Sequence, residues 1–264
     1  NKEIFKANGI AVLVSDFQAL SIANNKHSLL SCCTDNGIEC TGKYYLAESL
    51  DDLRSAAEAL GYPSKPFVAK IPNSSGMRGL RIIKGNYDEY DDFINNKPFD
   101  GVISLEKLVK ILENKPFTEL LVSEYFPGEE YSIDILADKG RLDICVPRSR
   151  DAIRTGITFG STTVNDESLI HYCREIVQAL RLDHIVGFQF KRDAGGEFKL
   201  LECNPRIQGT MVHSTLSNAN IILGAVQLAL FGKSGLDQKK ILWGTKLKRY
   251  WGAFVSNDNE TEKV

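Results

Sequence analysis

The sequence predicts an α+β fold with antiparallel sheets rather than a doubly wound α/β fold. Segments with helical spacing alternate with strand-like segments along the 264 residues. Several neighbouring strands are joined by tight turns, which brings them side by side in antiparallel order. The composition, 43% hydrophobic and 25% charged, is that of an ordinary globular protein with enough apolar residues for one large domain or two lobes.

The N-terminal elements follow from local start and stop signals. Residues 10–14, IAVLV, predict a short buried strand, and Ser15-Asp16 predicts a helix start, with the helix running to about Leu30. Ser49 predicts the start of a second helix that Gly61 ends. One strand–helix–helix run is therefore expected before residue 62.

Further along, strands dominate. The strands PFVAKI and LRII, joined by the turn-rich PNSSGMRG, predict a hairpin with a glycine-containing tip. ISLEKLVKILEN, ESLIHYCREIVQAL and NIILGAVQLALFG have helical character. Five more strands are expected in ELLVSEYF, EEYSIDILAD, GRLDICVPRS, IVGFQFKRD and near LKRYWGAFV, with LLECNPR as another strand end. The tail SNDNETEKV is expected to be disordered.

Charge and cysteine usage exclude some classes of function. A formal net charge of −2 gives no reason to expect nucleic acid or an anionic membrane as the main partner. No apolar run approaches the ~18 residues that span a bilayer. The six cysteines form no CxxC pair, which favours reduced structural thiols in a cytoplasmic protein. The first residue is Asn rather than Met, so a fragment of a longer polypeptide is one interpretation.

The stretch LLECNPRIQGT contains the most informative pattern. In a strand, Glu202, Asn204 and Arg206 share one face until Pro205 ends the ladder. If Gly195-Gly196 is a two-residue hairpin turn, pairing outward places Gln189 opposite Glu202. Three oxygen-bearing side chains with an incomplete shell suit Mg²⁺. A polar, solvent-facing sheet edge would also explain Gln189 and Glu202, so spacing alone leaves both readings open.

These residues also resemble a known family. ECNPR is similar to the closing metal-binding motif of ATP-grasp enzymes, particularly those like carbamoyl phosphate synthase, in which the pattern is Glu-x-Asn-Pro-Arg. The likeness runs in family order from about residue 10 to residue 255. It implies an ATP-grasp fold, in which two α+β lobes with antiparallel sheets sandwich the nucleotide.

The resemblance implies phosphate-binding residues in the first lobe. Lys26 matches the lysine before the ATP-binding lobe, and Lys70 matches the strand lysine that reaches the phosphates. The loop with Ser75, Gly76 and Gly79 looks like the mobile flap over the phosphates. Physical chemistry agrees, because glycines let backbone N–H groups approach an anion closely. Without the resemblance, a solvated hairpin would explain the same residues.

The resemblance also implies the contacts of the base, the sugar and the metal. Glu124 and the backbone of Tyr125 and Phe126 would meet the adenine, and Glu130 would accept the ribose hydroxyls. The remaining matches are to the Mg²⁺ ligands and to the arginine beside the transferred phosphoryl group, namely Gln189, Glu202, Asn204 and Arg206.

The implied domain plan departs from the family at the N-terminus. Residues 1–27 look like the remnant of a Rossmann-like subdomain that is otherwise missing. Lobe A is expected at 28–122, lobe B with the metal and acceptor sites at 123–255, and a tail at 256–264. Because that subdomain helps to form the acceptor site in relatives, the departure puts activity of this chain alone in doubt.

The acceptor side is expected in VPRSRDAIRTGITFGSTTV, residues 146–164. Arg148, Arg150 and Arg154 bracket one turn, and a small-residue loop around Gly156 follows. Such arginines either hold a carboxylate bidentately or form a solvated rim. The resemblance favours Arg154 and the Gly156 loop. The histidines at 171, 184 and 213 are assigned structural roles.

The expected function is that of an ATP-dependent carboxylate–amine ligase acting through an acyl phosphate. The resemblance implies ATP and Mg²⁺ as cofactors, with Mn²⁺ as an alternative, and small carboxylate and amine substrates. Carbamoyl phosphate synthesis itself is less favoured, because such synthases are far longer and have duplicated halves. A homodimer is compatible with the family. The alternative is a non-catalytic or regulatory ATP-binding domain.

Overall fold

The computed structural model describes residues 2–74, 76–95, 101–154, 156–250, 252, 254–256 and 261–263. Helices and strands alternate through these residues, as the sequence predicts. The helices are α1 (Lys2–Ala7), α2 (Phe17–Asn24), α3 (Lys26–Asp35), α4 (Leu50–Ala59), α5 (Glu89–Asn95), α6 (Leu105–Leu112), α7 (Glu167–Ala179), α8 (Val212–Leu216) and α9 (Ile221–Phe231).

The strands fall into three sheets and a separate two-stranded ladder. They are β1 (Tyr44–Ala47), β2 (Phe67–Lys70), β3 (Leu80–Ile83), β4 (Val102–Ile103), β5 (Leu120–Glu124), β6 (Glu130–Asp138), β7 (Arg141–Ser149), β8 (Ala152–Arg154), β9 (Ile157–Thr162), β10 (His184–Arg192), β11 (Phe198–Asn204), β12 (Lys246–Lys248), β13 (Phe254–Ser256) and β14 (Thr261–Lys263).

The sheet order confirms the α+β class. Sheet A has the order β1-β5-β2-β3-β4, sheet B the order β11-β10-β6-β7, and sheet C the order β12-β9-β8. All described pairs are antiparallel except β3 with β4. The predicted hairpin of β2 and β3 is present, with Phe67 opposite Ile83.

Helix starts agree with the predicted capping residues. The Asp16 carboxylate accepts a hydrogen bond from the Ala19 N–H, 2.8 Å away, at the start of α2. The Ser49 hydroxyl accepts one from the Asp52 N–H at the start of α4. Each cap satisfies a backbone donor that the first helical turn leaves without an intrahelical partner.

Two N-terminal expectations are wrong. Residues 10–14 form neither helix nor strand, and Ile10 is exposed. Their β-propensity has no described strand to pair with, so context overrides it. The helix expected to run to about Leu30 is divided at Asn25, whose side chain caps a new helix by accepting from the Ser28 N–H.

Sheet B is covered on both faces. One face packs on α2, α3 and α7 through a large apolar cluster that includes Ile133, Ile135 and Phe188. The opposite face packs on α9 through a second cluster that includes Leu136 and Ile144. Sheet A has its own core with α4 and α6. The six cysteines are free thiols, and all except Cys32 are buried.

The C-terminal tail is not wholly irregular, contrary to expectation. Thr261–Lys263 pair with Phe254–Ser256 as a short antiparallel ladder. In the part of the chain that the structure describes, no helix is both long and apolar enough to cross a membrane.

Candidate functional site

The predicted pairing of Gln189 with Glu202 is confirmed, but the hairpin reaches it differently. Near the turn, Arg192 pairs with Phe198, and the Asp193 side chain accepts from the backbone N–H groups of Gly195 and Glu197. The register then shifts between Gln189 and Phe190, which leaves Leu201 as an extra residue in β11. A longer turn and a β-bulge thus compensate each other.

The bulge has a direct effect on the site. It leaves the Leu201 carbonyl outside the regular ladder, and this oxygen accepts a hydrogen bond of 3.3 Å from the Lys70 ammonium. Lys70 is the last residue of β2 in sheet A, so this contact joins the two sheets. No local pattern predicts this carbonyl contact, because a bulge depends on the turn geometry at the other end of the hairpin.

The polar residues that end β11 lie on one face, as predicted. Asn204 Nδ2 donates to Glu202 Oε1 at 2.9 Å, and Arg206 Nη2 donates to Asn204 Oδ1 at 3.2 Å. Glu202 side-chain exposure is 27%, and Arg206 is exposed. The three side chains therefore form a connected series that opens toward solvent.

Two lysines approach this series from the other side. Lys26 Nζ lies 3.7 Å from Glu202 Oε2 and donates to the Ser74 carbonyl at 2.5 Å. Both lysines are buried. Burial, together with the charge of Lys26, lowers the pKa of Lys70 from 10.5 to about 8, although Glu202 opposes the shift. The lysines thus form a positive pocket that favours an anion.

A cavity of about 530 Å³ lies beside Lys26 and the polar residues at the end of β11. Its wall includes Lys26, Ser74, Glu202, Asn204 and Arg206, and Val14 and Leu20 contribute apolar surface. That volume is within the ~300–1,000 Å³ typical of small-ligand sites.

The oxygen donors fit a hard cation only in part. Gln189 and Glu202 are directly opposite and Asn204 is two residues on, so one carboxylate and two amide oxygens share a face. Within the described ranges, no three acidic, histidine or cysteine side chains gather as a metal cluster. Because a single carboxylate faces two lysines and an arginine, the set suits Mg²⁺ only when an anionic ligand supplies further oxygens.

The predicted adenine-binding residues lie at the end of β5 and in the connection to β6. The Glu124 carboxylate accepts a hydrogen bond of 2.7 Å from the Lys43 N–H. Gly42 leaves no room for a side chain, because a Cβ there would lie 2.6 Å from Glu124 Oε2. Phe126 is buried beside Gly42, and the Lys191 ammonium lies over the Tyr125 ring, 5.5 Å from the ring centre. Glu124 thus fixes the loop that faces it.

Glu130, predicted to bind the ribose, is paired with Arg150. The Arg150 side chain is 6% exposed and that of Glu130 is 19% exposed. Arg150 also donates to Thr158 Oγ1 at 2.8 Å and to the Gly156 carbonyl at 2.6 Å. Its Nη1 lies 3.4 Å from Gln189 Oε1. One guanidinium therefore connects the ribose, metal and acceptor predictions.

Arg148 is neither a substrate clamp nor a solvated rim. It is fully buried and paired with the equally buried Asp134, with Nε 2.9 Å from Oδ2. Asp134 also accepts from Gln208 Nε2 at 2.9 Å and from the Ser214 hydroxyl at 2.5 Å. A lone acid and a lone arginine inside two consecutive apolar strands were the overlooked signal, since buried charges occur in pairs.

The flap and the acceptor loop approach each other. Gly76, Met77 and Gly79 have φ values of +64°, +62° and +65°. A Cβ at Gly156 would lie 3.3 Å from Met77 Sδ, so the tip of the flap lies against this loop. Ser75, also predicted in the flap, lies outside the described residues. Arg154 is exposed on β8, with its guanidinium 5.0 Å from the centre of the Phe159 ring.

His213 has a structural role, as expected. It is fully buried, with Nδ1 2.6 Å from Ser161 Oγ and Nε2 3.0 Å from the Thr245 carbonyl. Because a carbonyl only accepts, Nε2 carries the proton and the Ser161 hydroxyl donates to Nδ1. Burial lowers the pKa of His213, in agreement with a neutral ring.

Comparison with solved structures defines the fold. The biotin carboxylase domain of the Hydrogenobacter thermophilus 2-oxoglutarate carboxylase, a complex with MgADP and bicarbonate, superposes with a TM-score of 0.71 at 17% identity. The match covers 93% of this chain and 53% of that one. The L-amino acid ligase of Bacillus licheniformis gives a TM-score of 0.59 at 16% identity, over 87% of this chain and 52% of that one. The chain has the ATP-grasp fold.

Sequence comparisons agree with that class. Residues 116–244 match the family model described as "ATP-grasp in the biosynthetic pathway with Ter operon". The arginine-specific carbamoyl phosphate synthase large chain of Halalkalibacterium halodurans is 24% identical over 200 residues, which are 71% of this chain and 17% of that protein. The chain therefore resembles ATP-grasp proteins in sequence as well as in fold, and it spans a small part of this relative.

Proposed function

We propose that the chain is an ATP-dependent ligase that joins a carboxylate to an amine through an acyl phosphate, with Mg-ATP. One observation carries the proposal. Lys26, Glu202 and Asn204 line a single cavity of about 530 Å³, with Lys26 Nζ 3.7 Å from Glu202 Oε2, and the buried charge of Lys70 interacts with the same lysine and carboxylate. Lysine ammonium groups beside oxygen-bearing side chains suit a nucleoside triphosphate, because the lysines attract its phosphates and the oxygens help to hold its metal ion.

Each of the predicted nucleotide-binding and metal-binding residues has a role in the proposal. Lys26 and Lys70 neutralise the phosphates, and Lys70 gains a partner for its buried charge. Gln189, Glu202 and Asn204 hold Mg²⁺, which when bound reduces the charge repulsion at the transferred phosphoryl group. Glu130 accepts the ribose hydroxyls, and the backbone after Glu124 meets the adenine.

The reaction has two steps that need no protein nucleophile. A carboxylate oxygen of the substrate attacks the γ-phosphorus, the bond to ADP breaks, and an acyl phosphate forms. The amine then attacks the acyl carbon, phosphate leaves, and the amine loses a proton. In this scheme Arg206 stabilises the transferred phosphoryl group and Arg154 holds the acceptor carboxylate.

The comparisons support the class of reaction. One neighbour is named an L-amino acid ligase, and another was solved with MgADP and bicarbonate. A carbamoyl-phosphate-like reaction is a finer proposal that rests on a relative of which this chain covers 17%. A cytoplasmic location, to which the free cysteines are suited, and a homodimer are also proposals.

The test is acyl-phosphate trapping. The protein is incubated with ATP, Mg²⁺, hydroxylamine and a panel of carboxylates, and hydroxamate and ADP are measured. We expect carboxylate-dependent formation of both, lost in Glu202→Gln and retained in the matched control Glu197→Gln, an exposed acid at the same hairpin. Nucleotide binding without carboxylate-dependent turnover would instead favour the non-catalytic ATP-binding domain.

The metal requirement has its own test. Because Glu202 is the one acid in a cluster with Lys26, Lys70 and Arg206, Mg²⁺ alone is expected to bind weakly. Calorimetry with Mg²⁺ alone, a non-hydrolysable ATP analogue alone, and both together should show binding that depends on the pair. Tight binding of Mg²⁺ without nucleotide would contradict the assigned ligands. Mn²⁺ is compared in the same series.

A further inference from the structure

Arg150 occupies an unusual place between three parts of the proposed site. Its guanidinium contacts the Glu130 carboxylate, and its Nη1 is 3.4 Å from Gln189 Oε1. The same guanidinium bonds Thr158 and the Gly156 carbonyl. Four partners from three strands and a loop thus share one planar group that is 6% exposed.

The connection continues to the flap. Gly156, which accepts from Arg150, lies beside Met77 at the tip of the flap, with Met77 Sδ 3.3 Å from the position of a Cβ on Gly156. Met77 itself has φ +62°, a conformation that costs energy for a residue with a side chain. The flap tip therefore rests on a loop whose position depends on Arg150.

The backbone strengthens the same connection. The Arg150 N–H donates to the Glu130 carbonyl at 2.8 Å, so the two residues stay together even if their side chains separate. A carboxylate has about four acceptor positions, and Arg150 Nη1 contacts Oε1 of Glu130. In the proposal, a ligand hydroxyl uses the remaining acceptor positions, in an orientation that the arginine sets.

We propose that Arg150 is a positioning residue that couples ribose recognition at Glu130 to the Gly156 loop beneath the flap. The inference rests on the proposed nucleotide site. The planar fork holds Glu130 in one orientation and holds the Gly156 carbonyl at the same time. A nucleotide whose ribose engages Glu130 thereby orders the loop on which Met77 rests.

The test compares nucleotides that differ only in the ribose. ADP and 2′,3′-dideoxy-ADP, each with Mg²⁺, are titrated into the wild type, Arg150→Gln and Arg150→Lys. The matched control is Arg141→Gln, an exposed arginine at the start of β7, the strand that ends just before Arg150. Amide hydrogen exchange of residues 76–80 and 156–162 is followed with and without nucleotide.

We expect the wild type to prefer ADP by about tenfold or more, as hydrogen bonds to a charged group imply. Arg150→Gln should reduce this preference to about threefold or less and abolish nucleotide-dependent protection of both segments. Arg150→Lys should keep much of the preference, since it retains the charge beside Glu130, but should lose the loop protection, because an ammonium lacks the fork.

The opposing outcomes are separable. If the wild type binds and discriminates, and Arg150→Gln does the same with equal loop protection, the inference is overturned while the nucleotide site stands. If the wild type fails to bind either nucleotide, the proposed function falls and this inference with it. Because Arg150→Gln could lower stability, the double variant Glu130→Gln/Arg150→Gln is included, and it should discriminate no worse than Glu130→Gln alone.

Discussion

Two arginine–carboxylate pairs lie side by side on the same face of sheet B, and they differ in what surrounds them. Asp134 and Arg148 are both 0% exposed and are enclosed by protein donors and acceptors. Glu130 and Arg150, at the ends of the same two strands, are partly exposed and border the acceptor loop. The chemistry is the same, but only the second pair lies where a ligand can reach it.

The difference teaches how this sheet combines a core with a site. Along one face, apolar residues such as Leu136 and Ile144 pack under α9, the sealed pair Asp134–Arg148 comes next, and Glu130–Arg150 lies beside the Gly156 loop. At the sealed pair, Asp134 accepts hydrogen bonds from Arg148, Gln208 and Ser214, whereas Arg148 Nε makes no hydrogen bond within the described residues although it lies 2.9 Å from Asp134 Oδ2. The Glu130–Arg150 pair is partly exposed, and in the proposed function a ligand hydroxyl binds there.

The largest expected effect is at the sealed pair. Arg148→Met leaves Asp134 buried without its cation, which should lower the free energy of unfolding by about 3–5 kcal/mol. Arg141→Met, which removes the two ion pairs that this exposed arginine of the same strand makes with Asp138 and Asp143, should cost less than about 1 kcal/mol. Urea unfolding measures both. Adding Asp134→Asn to Arg148→Met should recover part of the loss, and a further loss would refute the ion-pair explanation.

A smaller effect is expected one strand away, at Gly187. A Cβ there would lie 2.0 Å from Gln208 Nε2, which bonds the Ile133 carbonyl and Asp134. Gly187→Ala should displace Gln208 and lower stability by about 1–3 kcal/mol. The combination with Gln208→Ala removes the obstacle, so the double variant should be no less stable than Gln208→Ala alone. Additive losses would show that the clash is elsewhere.

Replacing the threonine partner of each arginine by alanine sharpens the comparison further. Thr210 accepts from Arg148 at 3.1 Å, and Thr158 accepts from Arg150 at 2.8 Å. Thr210→Ala should lower stability by about 1 kcal/mol and leave nucleotide affinity unchanged. Thr158→Ala should instead weaken the nucleotide-dependent protection of residues 156–162. Hydrogen exchange and urea unfolding are measured for both variants. If the two variants behave identically, the two arginine–carboxylate pairs do not differ in the proposed way.

The smallest effect concerns Lys70, a buried cation without a full protein partner. Its pKa of about 8 lies below the unfolded value of 10.5, so folded protein binds fewer protons than unfolded protein between these pH values. The resulting penalty is present below pH 8 and disappears as pH rises. Phosphates favour the charged form, so nucleotide binding at pH 8 should take up about half a proton, and less at pH 7.

Calorimetry in buffers of different ionisation enthalpy measures this uptake. Lys70→Arg stays charged throughout, so its binding heat should not depend on the buffer. Buffer-independent heats for the wild type at pH 8 would contradict the assignment of Lys70 to the phosphates.

Much of the fold could be predicted because its signals are local. The caps at Asp16 and Ser49 and the hairpin of β2 and β3 follow from neighbouring residues. The pairing of Gln189 with Glu202 was also predicted correctly, although the assumed two-residue turn was wrong. The turn is longer and the bulge at Leu201 restores the count, so two departures cancelled.

What could not be predicted depends on distant partners. The sealing of Arg148 requires Asp134, Thr210 and Ser214 to come together, and no local pattern states which arginine of a cluster will be enclosed. Residues 10–14 have strand composition but no strand beside them, and β-propensity is expressed only in a sheet. The sequence identifies residues that could be buried or form strands, and tertiary packing determines which of them do so.

The bulge at Leu201 makes the hairpin of β10 and β11 two segments with different registers. Residues 198–200 pair with β10 in the register that the turn sets, whereas residues 202–204 pair in a register shifted by one residue. Leu201 is the extra residue between the two segments. A protein engineer who transplants this hairpin into another scaffold must therefore carry the bulge with it. Deleting that single leucine would leave a regular ladder with Glu202 still opposite Gln189, but it would remove the carbonyl that Lys70 contacts.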